Sequence, residues 1–141
     1  MGVAEDKRDA ERWQARAKQS LAAARDLFTG EHFSACANRA YCAAYQACVA
    51  VCLLHGDRDK FPSEWNNPTH EQLPELLLNN GKYTLFARRR ITATLLRLRR
   101  IREDADYRIG RTVDGDITLK CLHETQRLFE YIEFGIGEEN G

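Results

Sequence analysis

Residues Phe33 to Leu54 read FSACANRAYCAAYQACVAVCLL and hold a single charge, Arg39, in 22 positions. Phe33, Ala37, Ala40, Ala44, Ala47 and Val51 recur at helical spacing, giving one face of mostly small side chains that lets a neighbouring helix approach closely. Tyr41, Cys48 and Cys52 flank that face, and Tyr45 lies a little further round. A helix almost free of charge around its circumference is buried on all sides. Its length suits a membrane span, but its composition does not. Ala, Cys and Tyr, interrupted by Asn38, Arg39 and Gln46, replace the Leu, Ile and Phe of a lipid-facing helix. The stretch predicts the interior helix of a bundle, with no membrane association.

Helical periodicity extends outward from it in both directions. Upstream, Trp13, Ala17, Leu21, Ala24 and Phe28 mark a helix from about Asp9 to Phe28, ended by Thr29-Gly30 with glycine past the C-terminus. The second helix is expected to follow at once, from about Glu31 to Leu54, and so short a connection makes the two antiparallel neighbours. Downstream, His55-Gly56 closes the second helix. A polar loop from Asp57 to Thr69 follows, with Pro62, Pro68 and Asn66-Asn67. Further helices are predicted over about His70–Leu78, Thr84–Asp106 and Asp116–Phe134. No strand-like alternation competes, so the expectation is an all-α, up-and-down bundle of four to five helices. Residues 1–8 are expected as a flexible N-terminus, 9–134 as the single bundle and 135–141 as a disordered tail.

The chain has 141 residues, 21 basic and 21 acidic, with 43% hydrophobic residues, 3 Pro and 9 Gly. That composition excludes a largely disordered chain and a disulfide-scaffold miniprotein. Cys36, Cys42, Cys48, Cys52 and Cys121 form no CxxC pair, and four of them share one helix, so they read as small apolar core residues in a reducing compartment. The four histidines show no matching zinc-ligand spacing. Neither a metal nor a cofactor is expected. With a charged N-terminus free of an apolar signal segment, the expected location is the cytoplasm.

The zero net charge is a sum of unlike parts. Residues 1–81 carry a net −2, residues 82–111 a net +7 and residues 112–141 a net −5. The basic segment holds Lys82 and nine arginines, a residue choice suited to forked phosphate contacts. The plainer alternative is a solvated face neutralised by the acidic fifth helix. On the fourth helix, Ile91, Leu95, Leu98, Arg102 and Ala105 fall on one stripe, with Arg102 at its centre. An unpaired guanidinium in a core is very costly, so Arg102 requires an anion, a crevice or a subunit boundary. Arg97 and Arg100 lie on the opposite, wet side, where they can track phosphate. Arg39 and Arg102, isolated charges on two core helices, suggest a polar pocket or a shared anion site; ion pairing of either with Asp106 is the alternative.

Gly30-x-x-Phe33, followed by Asn38-Arg39-Ala40-Tyr41-x-Ala43-x-Tyr45, resembles the first signature of HEPN domains. Leu95-x-x-Leu98-x-x-x-Arg102-x-x-Ala105-Asp106-Tyr107 is similar to the closing L-x-x-L-x-x-x-R-x-x-A-D-Y motif, and Trp65-x-x-x-x-His70-x-x-Leu73 to a weaker segment between them. The resemblance spans about residues 18–134. It implies a bundle that is usually dimeric, drawn from prokaryotic toxin–antitoxin, defence and RNA-processing systems, often accompanied by a nucleotidyltransferase partner. It further implies RNA or nucleotide binding by Arg39, Arg102, Arg100 and Arg97, with Tyr41, Tyr45, His70, Asp106 and Tyr107 lining the site. Tyr107 occupies the position of a tyrosine that is modified in some members.

One departure bears on catalysis. Nuclease members carry Arg-x4–6-His on the fourth helix, whereas here Arg100-x4 leads to Ala105, and no histidine lies between His70 and His123. The group that activates a ribose hydroxyl is missing from that slot. A binding or regulatory module is therefore the leading expectation. The alternatives are a metal-independent ribonuclease using Arg102 and His70, and a partner-recognition protein paired with a nucleotidyltransferase. No catalytic residue is assigned.

Overall fold

A computed structural model describes residues 2–62 and 67–136. The chain forms α1 (Val3–Thr29), α2 (Phe33–Leu54), a 3-10 turn (Asp57–Lys60), α3 (Gln72–Leu78), α4 (Leu85–Tyr107) and α5 (Gly115–Phe134). This is the all-α bundle that the periodicity predicts. Among the described residues the only β-type pairing is an isolated bridge between Tyr83 and Ile136. The expected motif residue Trp65, the loop residue Asn66 and tail residues 137–141 lie outside the described residues.

Helix α2, with Arg39 its single charge, is the hub: α1, α3, α4 and α5 all pack on it. Ala37, Ala40, Ala44, Ala47 and Val51 are buried, and so are Ala10, Ala17, Leu21 and Ala24 of α1. Small residues on both sides of the seam bring the two backbones close, so α1 and α2 form the most extensively packed pair. On the other side of α2, Leu73, Leu77, Ile91, Leu95, Leu98 and Leu128 close the core with almost no exposed surface. Burying side chains of this size contributes about 1.5–3 kcal/mol each, and this apolar mass is what orders the bundle.

The helix ends follow local chemistry. Thr84 caps α4 by accepting from the Ala87 N–H, and Asp114 caps α5 by accepting from Ile117. Two boundaries depart from expectation. Helix α1 begins at Val3 rather than Asp9, so residues 3–8, expected as a flexible N-terminus, continue the helix. Arg58 reaches back to Asp6 at 2.7 Å and to Asp9 at 2.6 Å, tying those first turns to the 3-10 segment.

The second departure is at the α1–α2 turn, where α1 ends at Thr29 as expected but α2 begins at Phe33 rather than Glu31. Glu31, not Gly30, takes the left-handed conformation, with φ 61°. His32 N–H bonds the Leu27 carbonyl and Glu31 N–H the Phe28 carbonyl, the Schellman closure, which puts Glu31 at the position glycine favours. Gly30 sits one residue too early, with φ −81°. After α2 the expectation holds: Gly56 is left-handed at φ 83°.

Candidate functional site

The uncharged face of α2 is not uniformly apolar. Asn38, Tyr41 and Tyr45 stand at i, i+3 and i+7, hence on one side of the helix. The two tyrosines hold the segment entering α3. Tyr45 Oη donates to the Pro68 carbonyl at 2.6 Å and accepts from Asn67 Nδ2 at 2.7 Å. Tyr41 Oη lies 2.5 Å from His70 Nδ1. The segment is also closed locally: Gln72 N–H bonds Thr69 Oγ1, and Thr69 N–H reaches Gln72 Oε1. That reciprocal exchange is a capping box, and it fixes the first turn in which His70 sits.

The rings form a connected aromatic group. The His70 ring lies 4.7 Å from that of Tyr45 and 5.5 Å from that of Tyr41, and Trp13 meets Tyr45 edge-on at 6.4 Å. Burial pushes the Tyr41 and Tyr45 phenols up, so both remain protonated donors at neutral pH. Partial burial, reinforced by Arg99 and Arg102, pulls the His70 imidazole below its ordinary value. His70 is therefore predominantly neutral at pH 7, at the exposed rim of the group.

Helix α4 supplies the charge. Arg99 bonds Glu71 at 2.9 Å and sits 3.4 Å from Glu103. Arg102 lies 3.0 Å from Asp106 in an ion pair, yet its Nε makes no aligned hydrogen bond within the protein. Asp106 Oδ2 also accepts from Asn38 Nδ2 at 2.9 Å, which ties the end of α4 to α2. The Arg102 guanidinium stacks over the Tyr107 ring at 5.4 Å, and Tyr107 is 71% exposed.

Of the residues singled out from sequence, Arg102, Tyr41, Tyr45, His70, Asp106 and Tyr107 gather in this cluster. Three others do not join it. Arg39 donates to Cys42 Sγ at 3.3 Å on its own helix, and Asn38 makes the contact across to α4. Arg97 turns to α5 and pairs with Glu124 at 3.0 Å. Arg100 is exposed on the outer side, with no ion pair among the described residues. The expectation of Arg102 inside the core needs correcting too. Ile91, Leu95 and Leu98 are buried, but beyond Leu98 the helix emerges from the bundle, and Arg102 is half-buried beside its own Asp106.

The sequence reading passed over Arg99. Its signal is its place three residues before Arg102, on the flank of α4 that faces α3, which becomes informative only once α3 and His70 are placed there. Neutralisation of α4 by α5 is also limited: among the described residues only Glu124 of α5 pairs with an α4 arginine.

The fold and this cluster define a small helical-bundle domain that presents two arginines, a neutral histidine and two tyrosines where α2, α3 and α4 meet. Residues 10–135 match the family model of the HEPN domain. The chain belongs to the HEPN family. No curated protein matches it in sequence.

Proposed function

We propose that this HEPN domain binds RNA or nucleotide phosphates at the cluster, as a regulatory module of a toxin–antitoxin or defence system. The observation that carries the reading is the convergence of Arg99 and Arg102 on the Tyr41–His70 pair, close enough for both cations to act on both titratable groups. Guanidiniums offer forked donors to phosphate oxygens, and the adjoining rings offer faces on which an unpaired base stacks. A fluorescein-labelled single-stranded RNA, titrated at ~50 mM salt and followed by anisotropy, is expected to bind. The Arg99→Gln/Arg102→Gln double variant should lose at least tenfold in affinity. A flat titration removes the reading.

A second reading rests on His70. A neutral imidazole with Nδ1 engaged by Tyr41, and with Arg102 nearby to stabilise a developing phosphorane charge, has the parts of a metal-independent ribonuclease. Purified protein incubated with RNA should then cleave it, and His70→Ala should reduce the rate by at least a hundredfold. Cleavage indifferent to that change takes His70 out of any mechanism. Homodimerisation and a nucleotidyltransferase partner belong to the same proposal. The exposed Tyr107 hydroxyl beside Arg102 supports an acceptor role for that tyrosine.

A further inference from the structure

A groove of about 250 Å³ runs between α4 and α5, lined by Arg90, Thr94, Arg97, Glu124, Arg127 and Tyr131. It shares no residue with the His70 cluster. Arg90, Thr94 and Arg97 stand at i, i+4 and i+7 on α4, so they form one stripe. Glu124, Arg127 and Tyr131 stand at i, i+3 and i+7 on α5 and form the facing stripe. Two of the three cations are held by neighbours. Arg97 Nε is gripped by both Glu124 oxygens, at 3.0 and 3.2 Å, and its Nη2 donates to Thr94 Oγ1 at 3.4 Å. The Arg90 guanidinium lies over the Phe86 ring, 5.2 Å from its centroid. Arg127 has no acidic partner among the described residues.

Three guanidiniums against one carboxylate leave two positive charges uncompensated in a groove that Tyr131 also lines. The volume is below the ~300–1,000 Å³ of sites that enclose a drug-sized ligand, which matches a phosphate or diphosphate group better than a whole nucleotide. Prefixed cations suit such a group, because their side-chain freedom is already restricted before the anion arrives.

We infer that this groove is a second anion site that takes a phosphate or diphosphate group through Arg90, Arg97 and Arg127. The inference stands apart from the reading of the His70 cluster, since neither needs the other. The group belongs either to a nucleic-acid backbone or to a small free phosphate compound, and the experiment separates the two.

Inorganic pyrophosphate is titrated calorimetrically into the full chain at ~50 mM salt. Arg90→Gln, Arg127→Gln and their combination are compared with Arg89→Gln, an exposed arginine outside both sites, and circular dichroism verifies the helix content of each. Arg90 and Arg127 are exposed, so their loss leaves the core intact. Pyrophosphate affinity should fall at least tenfold in the Arg90→Gln/Arg127→Gln protein and stay unchanged in Arg89→Gln. Arg127→Lys, which keeps the charge without the fork, should retain part of the affinity. In parallel, labelled single-stranded RNA is titrated into the same set. RNA affinity that falls together with pyrophosphate affinity assigns the groove to a nucleic-acid backbone; RNA affinity unmoved while pyrophosphate binding is lost assigns it to a free phosphate compound. Absence of pyrophosphate binding to the unmodified chain overturns the inference. So does binding that survives the double substitution in a chain that also carries Arg99→Gln/Arg102→Gln, or that falls equally in Arg89→Gln.

Discussion

His70 carries much of the chemistry at the scale of single residues, and its protonation gives a signed prediction. Its pKa is lowered by burial first and then by Arg99 and Arg102, so the imidazole is predominantly neutral at pH 7 and gains its charge at a lower pH than a free histidine does. Protonation adds a third cation beside the two arginines. RNA affinity, measured by anisotropy at constant salt, should therefore rise as pH falls from 7 to 5, and this rise should vanish in His70→Gln. The stability consequence has the opposite sense. The unfolded chain binds the proton more readily, so the fold loses stability as pH drops below about 6.5, the unfolded histidine value. At this scale the sequence was partly legible. Tyr41, Tyr45, His70, Arg102, Asp106 and Tyr107 could be picked out from motif positions. Arg39 and Asn38 could not be told apart by residue type, because one residue along a helix is a 100° turn, and only packing reveals which of the two faces α4.

The elements were more legible than their ends. With Arg39 its single charge, α2 announced itself as the hub, since almost no charged face was left for solvent, and the neighbouring helices followed from their apolar stripes. Their boundaries depended on contacts distant in sequence. Arg58 extends α1 by bridging to Asp6 and Asp9, about fifty positions earlier, which no local pattern reports. The α1–α2 turn makes the same point. Its closure requires a left-handed residue at Glu31, where a side chain costs about 1–2 kcal/mol relative to the right-handed form, while the glycine stands at Gly30. Glu31→Gly should therefore raise stability by roughly 0.5–1 kcal/mol, read as a higher midpoint of urea denaturation with unchanged slope. An unchanged or lowered midpoint would show that the Glu31 side chain contributes more than its backbone costs.

Across the whole molecule, the balanced charge proves to be spatially divided. Helix α4 holds seven of the sixteen arginines, and they disperse around it: Arg99 and Arg102 toward α3 and α2, Arg90 and Arg97 toward α5, Arg89 and Arg100 outward. Among the described residues α5 pairs directly with only one of them, Arg97, while Arg99 and Arg102 are paired with Glu71, Glu103 and Asp106. Composition alone could not show this, because a net charge carries no positions.

The central claim is that Arg99 and Arg102 form the anion-binding part of the His70 cluster. Its most direct test is the salt dependence of single-stranded RNA binding, compared between the unmodified chain and Arg99→Gln/Arg102→Gln. Each phosphate contact on a single strand contributes about 0.7 to the slope of log K against log salt, so removing two should flatten that slope by about 1.4 and weaken binding at low salt. Equal slopes and equal affinities in the two proteins would place the RNA elsewhere and contradict the account.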